Sequence, residues 1–132
     1  MTPITCSCDG CKRMCAASSC LPTPAEARAL IRRGYGARLS TYAFAPDPES
    51  MRYVGPSPKG QEGARDLWNT ACAACTFHTD DGRCELHDLG LKPLEGRIAH
   101  HDRPFQQVRL HVMATWKGRQ FESVRAALDR VR

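Results

Sequence analysis

The stretch Cys6-Ser7-Cys8-Asp9-Gly10-Cys11-Lys12-Arg13-Met14-Cys15-Ala16-Ala17-Ser18-Ser19-Cys20-Leu21-Pro22-Thr23-Pro24-Ala25-Glu26 carries five cysteines and runs straight into a helix start. Thr23 suits an N-cap, Pro24 suits the first helical position, and Glu26 stands where a capping box needs a carboxylate. Ala27, Leu30 and Ile31 supply a buried face, and Gly34 is a natural stop. The predicted order is a cysteine-rich arm followed by a short, well-capped helix.

A second cysteine group lies more than fifty residues on: Cys72, Cys75 and Cys84, followed by His87. Between the groups, residues 39–45 and 51–54 can pair as a hairpin around Pro46-Asp47-Pro48, since Tyr42, Phe44, Tyr53 and Val54 suit strands. The run 55–63 is rich in Pro and Gly and reads as a loop. A short helix over 64–74 is expected to lead into the second group. In the tail, Pro104 and Gly118 bracket a helix with Phe105, Val108, Val112 and Trp116 on one face. A further helix carries Phe121, Val124, Leu128 and Val131, with Glu122–Arg125 and Arg125–Asp129 at ion-pair spacing. The expected fold is α+β, small and mostly helical: an irregular, cysteine-rich, metal-stabilised single domain spanning residues 1–132.

Of the 132 residues, 42% are hydrophobic but only 7% aromatic. That is a globular composition with a thin core, and small domains with thin cores often fold around a metal or disulfides. An even cysteine count also fits a secreted disulfide scaffold. Met1 to Cys20 is polar, however, and has no apolar run of the kind an export signal needs. The expectation is a cytoplasmic chain without a membrane span, in which thiols stay reduced and bind metal.

Cys8-Asp9-Gly10-Cys11 is a Cys-x2-Cys pair whose Asp-Gly turn aims both sulfurs at one point. Cys8, Cys11, Cys15 and Cys20 can form an all-thiolate set, with Cys6 spare or bridging two metals. Cys72-Ala73-Ala74-Cys75 is a second pair. The Asp81-Gly82 turn lets Cys84 fold back towards Cys75, so Cys72, Cys75, Cys84 and His87 offer three thiolates and an imidazole. His78, His100, His101 and His111 read as surface residues. Adjacent His100 and His101 diverge on any regular element and would chelate poorly as a pair.

These phrases resemble the YkgJ-type family of zinc- or iron-chelating proteins. The resemblance is carried by Cys8-Asp9-Gly10-Cys11 with Cys15, by Leu21-Pro22-Thr23-Pro24-Ala25-Glu26, by Cys75-Thr76-Phe77 with Gly82-Arg83-Cys84-Glu85-Leu86-His87, and by Lys92-Pro93-Leu94-Glu95-Gly96-Arg97. It covers residues 6–34 and 72–97, the two metal-binding motifs. The family's tandem cysteines are absent near Cys15, and Gly96 stands where the family has a cysteine. The resemblance implies metal binding and specifies no reaction.

Saturated thiolate sites leave no open position for substrate, so the sequence reads as a non-catalytic interaction module with one to two structural zinc ions and an unidentified protein partner. The alternative is an iron–sulfur or redox protein, since the first group has sulfur enough for iron. A second alternative uses charge. Residues 1–102 hold 12 basic and 12 acidic residues, while 103–132 hold seven basic and two acidic. The whole net charge of +5 sits in that segment, which could give weak binding to nucleic acid or an acidic partner. No phosphate-binding glycine loop and no His-Glu-x-x-His phrase is present.

Overall fold

The structure, a computed structural model, describes residues 1–4, 6, 8–43, 51–68 and 73–132, with the backbone alone for Lys12 and Cys15. Two single-turn helices, α1 (Asp9–Lys12) and α2 (Met14–Ala17), form the N-terminal arm. Helix α3 (Pro24–Arg32) follows, with both capping-box bonds made: Glu26 N–H donates to Thr23 Oγ1 at 3.2 Å, and Thr23 N–H donates to Glu26 Oε1 at 2.9 Å. Its buried residues are Pro24, Ala27, Leu30 and Ile31. Gly34, at φ +90°, ends it in the left-handed region, which glycine enters at low cost. This helix is as the sequence predicted.

Strands β1 (Leu39–Ala43) and β2 (Arg52–Pro56) pair antiparallel, with Tyr42 opposite Tyr53. Those two rings stack with centroids 4.8 Å apart. The hairpin expected from the sequence is present, although its connection lies outside the described residues. The second strand runs two residues further than predicted, taking in Gly55 and Pro56 from the expected loop.

The helix expected over 64–74 does not form in the described part of that stretch. Leu67–Trp68 instead make a short strand, β3, parallel to β1, in the sheet order β2-β1-β3. Tertiary bonds override local helix propensity here. Thr41 N–H donates to Ala64 O, Thr41 Oγ1 accepts from Asp66 N–H at 2.8 Å, and Asp66 sits at φ +56°, outside the helical region.

The region 73–93 is built from turns. Asp81-Gly82 forms the predicted reversal, with Gly82 at φ +81° donating its N–H to Thr79 O, and His78 bridges to Cys84. Phe77 and Leu86 anchor this region in the core. Arg38 ties it to the sheet: the guanidinium lies 4.2 Å from the Phe77 ring centroid, bonds both carboxylate oxygens of Glu85 at 3.0 and 2.8 Å, and donates to Thr76 O.

Helices α4 (Leu94–Ile98), α5 (Phe105–Met113) and α6 (Gln120–Asp129) complete the chain. Val108, Val112 and Trp116 are buried as expected. Phe105 is exposed, with the Arg109 guanidinium 4.9 Å from its ring centroid. On α6, Phe121, Val124 and Leu128 are buried against α3 and β2, while Val131 is exposed. Asp129 pairs with Arg65 at 3.4 Å rather than with its helix-spaced neighbour, and Arg125 lies over Phe121. The fold is α+β, with one core between sheet and helices.

Candidate metal centre

Cys8 is the N-cap of α1, and its sulfur accepts the Cys11 N–H at 3.4 Å. Asp9 and Gly10, expected as a turn, are the first residues of α1, and this helical turn brings the Cys8 and Cys11 sulfurs to one side as the Cys-x2-Cys spacing requires. Across from them is the turn 99–103, which leaves α4. Arg103 holds this turn by donating to Ile98 O and to Thr2 O, each at 2.7 Å, so the same guanidinium reaches the N-terminal arm. Ile4 N–H donates to Arg97 O at 3.0 Å and adds a second tie.

The arm and the turn meet at one atom. His101 Nδ1 lies 3.7 Å from Cys6 Sγ, 3.4 Å from Cys8 Sγ and 3.6 Å from Cys11 Sγ. Zinc bonds of about 2.3 Å to sulfur and about 2.0–2.1 Å to nitrogen give a tetrahedron whose sulfur–nitrogen edge is about 3.6 Å. All three sulfurs stand at about that edge length from one imidazole nitrogen, as a Cys3His site requires of the edges that meet at its histidine. His100 adds a further ring nitrogen: the ligand atoms of Cys6, Cys11, His100 and His101 all lie within 4.8 Å of one another, a set that leaves out Cys8, which joins the group through its 3.4 Å approach to His101 Nδ1. No family model, curated protein or solved structure matches the chain.

The electrostatics favour one thiolate in this group. The Cys11 backbone N–H, then the Cys6 and Cys11 thiols, lower the Cys8 pKa to about 7 against the opposing effect of desolvation, with a smaller contribution from His101. Desolvation, and then the neighbouring Cys8, raise Cys11 to about 11. A cation seated among the sulfurs would remove that conflict, because metal coordination deprotonates thiols. Behind His101, its Nε2 lies 3.6 Å from Asp102 Oδ1. That is beyond hydrogen-bond distance, so the exposed Asp102 carboxylate acts on the far ring nitrogen as a nearby charge rather than as a bonded partner.

The remaining sequence candidates are distributed as follows. The sequence reading left Cys6 spare or bridging two metals, and the structure places it in the group. Cys20 does not join the group; it is buried beside Gly96, where an added Cβ would lie 3.0 Å from its sulfur. Cys15 lies in α2, and its side chain is outside the described atoms. Cys72 lies outside the described residues. Cys75 is buried in the core and bridges to Pro58, Cys84 is half-buried, and His87 is exposed. Among the described residues, Cys75, Cys84 and His87 do not gather into a ligand group of their own.

The divergence expected of His100 and His101 does not hold at this turn, where both ring nitrogens lie near the Cys6 and Cys11 sulfurs. Divergence of adjacent side chains holds for helices and strands, whereas these two residues lie at an irregular turn and their rings are tilted 33° with centroids 4.0 Å apart. His101 is at least 90 residues from its sulfur partners along the chain, a separation that no motif spacing encodes.

Much of the basic charge in 103–132 is engaged. Arg109 is buried against Glu95, Arg103 is bonded to backbone carbonyls, and Arg132 donates to Leu39 O. Among the described residues, no helix is long and apolar enough to cross a membrane.

Proposed function

We propose that this chain is a small zinc-binding protein in which Cys6, Cys8, Cys11 and His101 hold a single ion, and that the ion has a structural, non-catalytic role. The observation that carries the reading is the convergence of three sulfurs on His101 Nδ1 at 3.4–3.7 Å. Mixed thiolate and imidazole ligation favours zinc over an iron–sulfur cluster, which prefers thiolate throughout. Four protein ligands complete a tetrahedron and leave no position for an activated water. The likeness of the cysteine phrases to the YkgJ-type chelating proteins belongs to this proposal and rests on those phrases alone. A cytoplasmic setting, where such thiols stay reduced, belongs to it as well.

The test is elemental analysis of protein purified without oxygen, for the natural sequence and for His101→Ala and His87→Ala. The expected result is colourless protein with one zinc per chain, lost in His101→Ala and kept in His87→Ala. Brown protein with acid-labile sulfide would replace zinc with an iron–sulfur reading. Zinc lost in His87→Ala but kept in His101→Ala would move the site to the second cysteine group.

A further inference from the structure

A cavity of about 680 Å³ opens beside the metal centre. One wall is the N-terminal arm, through Ile4, Cys6 and Cys11. The facing wall is the body of the domain, through Cys20, Cys84 and Gly96. The two walls are held very differently. Among the described residues from 1 to 19, none is buried, and Cys20, 6% exposed, is the first that is. The body behind Cys20 is fixed by the core, with Leu21 and Ile98 packed in it.

The arm lies on the body through the Ile4–Arg97 and Arg103–Thr2 hydrogen bonds and through the Cys6, Cys8, Cys11 and His101 cluster. Hydrogen bonds near solvent hold weakly, because water offers the same bonds to a released arm. Ligation of one ion by three arm sulfurs and a body imidazole is far stronger.

We infer that the metal ion is the latch of this arm, so that metal occupancy controls access to Cys20 across the cavity. The inference rests on the proposed metal centre and concerns its regulation. Cys20 is set back against the α4 backbone, in the space that the missing side chain of Gly96 leaves. It lines the same cavity as Cys6 and Cys11, and among the described residues it is not part of their ligand group. Releasing the arm removes one wall while the core keeps the other in place. The device couples metal loss to the exposure of a further thiol.

The experiment uses the full chain, zinc-loaded or stripped with a chelator under reducing conditions. Short pulses of iodoacetamide are read by peptide-resolved mass spectrometry. Each thiolate displaces iodide to form a sulfur–carbon bond, with the thiol proton released to buffer. On stripping, Cys20 should label roughly tenfold faster or more, while core-buried Cys75 is unchanged. His101→Ala in the presence of zinc should label Cys20 as the stripped protein does.

Cys6, Cys8 and Cys11 becoming reactive on stripping while Cys20 stays slow would overturn the latch and leave the metal centre standing. Zinc giving no protection to Cys6, Cys8 or Cys11 would sink the metal centre and the latch together. Cys75 accelerating in step with Cys20 would mean that the whole core opens, which also overturns a latch confined to the arm.

Discussion

Glu95→Gln should destabilise the protein by about 3 kcal/mol, the low end of the 3–5 kcal/mol that removing one partner of a buried ion pair costs. The Glu95 and Arg109 side chains are only 4% and 7% exposed. Arg109 Nε donates to Glu95 Oε2 at 2.7 Å, and Nη2 donates to Oε1 at 2.8 Å. Oε1 also accepts Leu21 N–H at 3.0 Å, and Arg109 reaches Ser19 O at 3.1 Å. Burial works against the charge on Arg109, yet the bonds to Glu95 more than offset it and raise its pKa above the ordinary arginine value.

Glutamine keeps an acceptor for Leu21 N–H but removes the anion, which leaves a buried guanidinium uncompensated. Removing the cation as well, in Glu95→Gln with Arg109→Met, should restore most of the loss, since apolar replacements of buried pairs are often near neutral. The assay is urea unfolding followed by tryptophan fluorescence, whose change on unfolding comes mainly from Trp116, 2% exposed, since Trp68 is already 56% exposed. With an m-value of about 1.5 kcal/mol/M, the single variant's midpoint should fall by about 2 M. A fall under about 0.5 M, or a double variant as unstable as the single one, would refute the argument that charge compensation holds this joint.

Three further outcomes follow from the geometry. Asp102→Asn should weaken zinc binding by less than about tenfold, the low end for a carboxylate bonded behind a ligating histidine, because the Asp102 carboxylate stands 3.6 Å from His101 Nε2 and its side chain is 79% exposed; competition titration against a zinc chelator measures it, and a larger loss would show that Asp102 supports the site directly. Leu128→Ala, at a fully buried position of α6, should cost about 2–5 kcal/mol while zinc content stays the same; zinc loss in the folded variant would show that core and site are coupled. Single-stranded DNA should bind weakly and be released as salt rises, because Arg109, Arg103 and Arg132 are already bonded within the protein; binding that persists at high salt in fluorescence anisotropy would reveal a specific surface.

What the sequence determined by itself was local. Thr23, Pro24 and Glu26 fixed the start of α3, because a capping box needs only four consecutive residues. The turn at Asp81-Gly82 and the Cys8–Cys11 reversal were legible for the same reason: their geometry is set by neighbours in the chain. The burial of Val108, Val112 and Trp116 followed from helical spacing.

Tertiary structure decided the rest. Residues 64–68 have no local signal for a strand, and only the edge of β1 gives Leu67 and Trp68 partners. The choice of Cys6 over Cys20 as a neighbour of Cys8 and Cys11 depended on where the arm docks. The fourth ligand-type atom came from His101, on a turn at the far end of the chain, beside a histidine that a regular element would have pointed elsewhere. Spacing along a chain predicts proximity only while the backbone between two residues is short. Once 90 residues intervene, the packing of α4 and the turn after it puts the imidazole among the sulfurs.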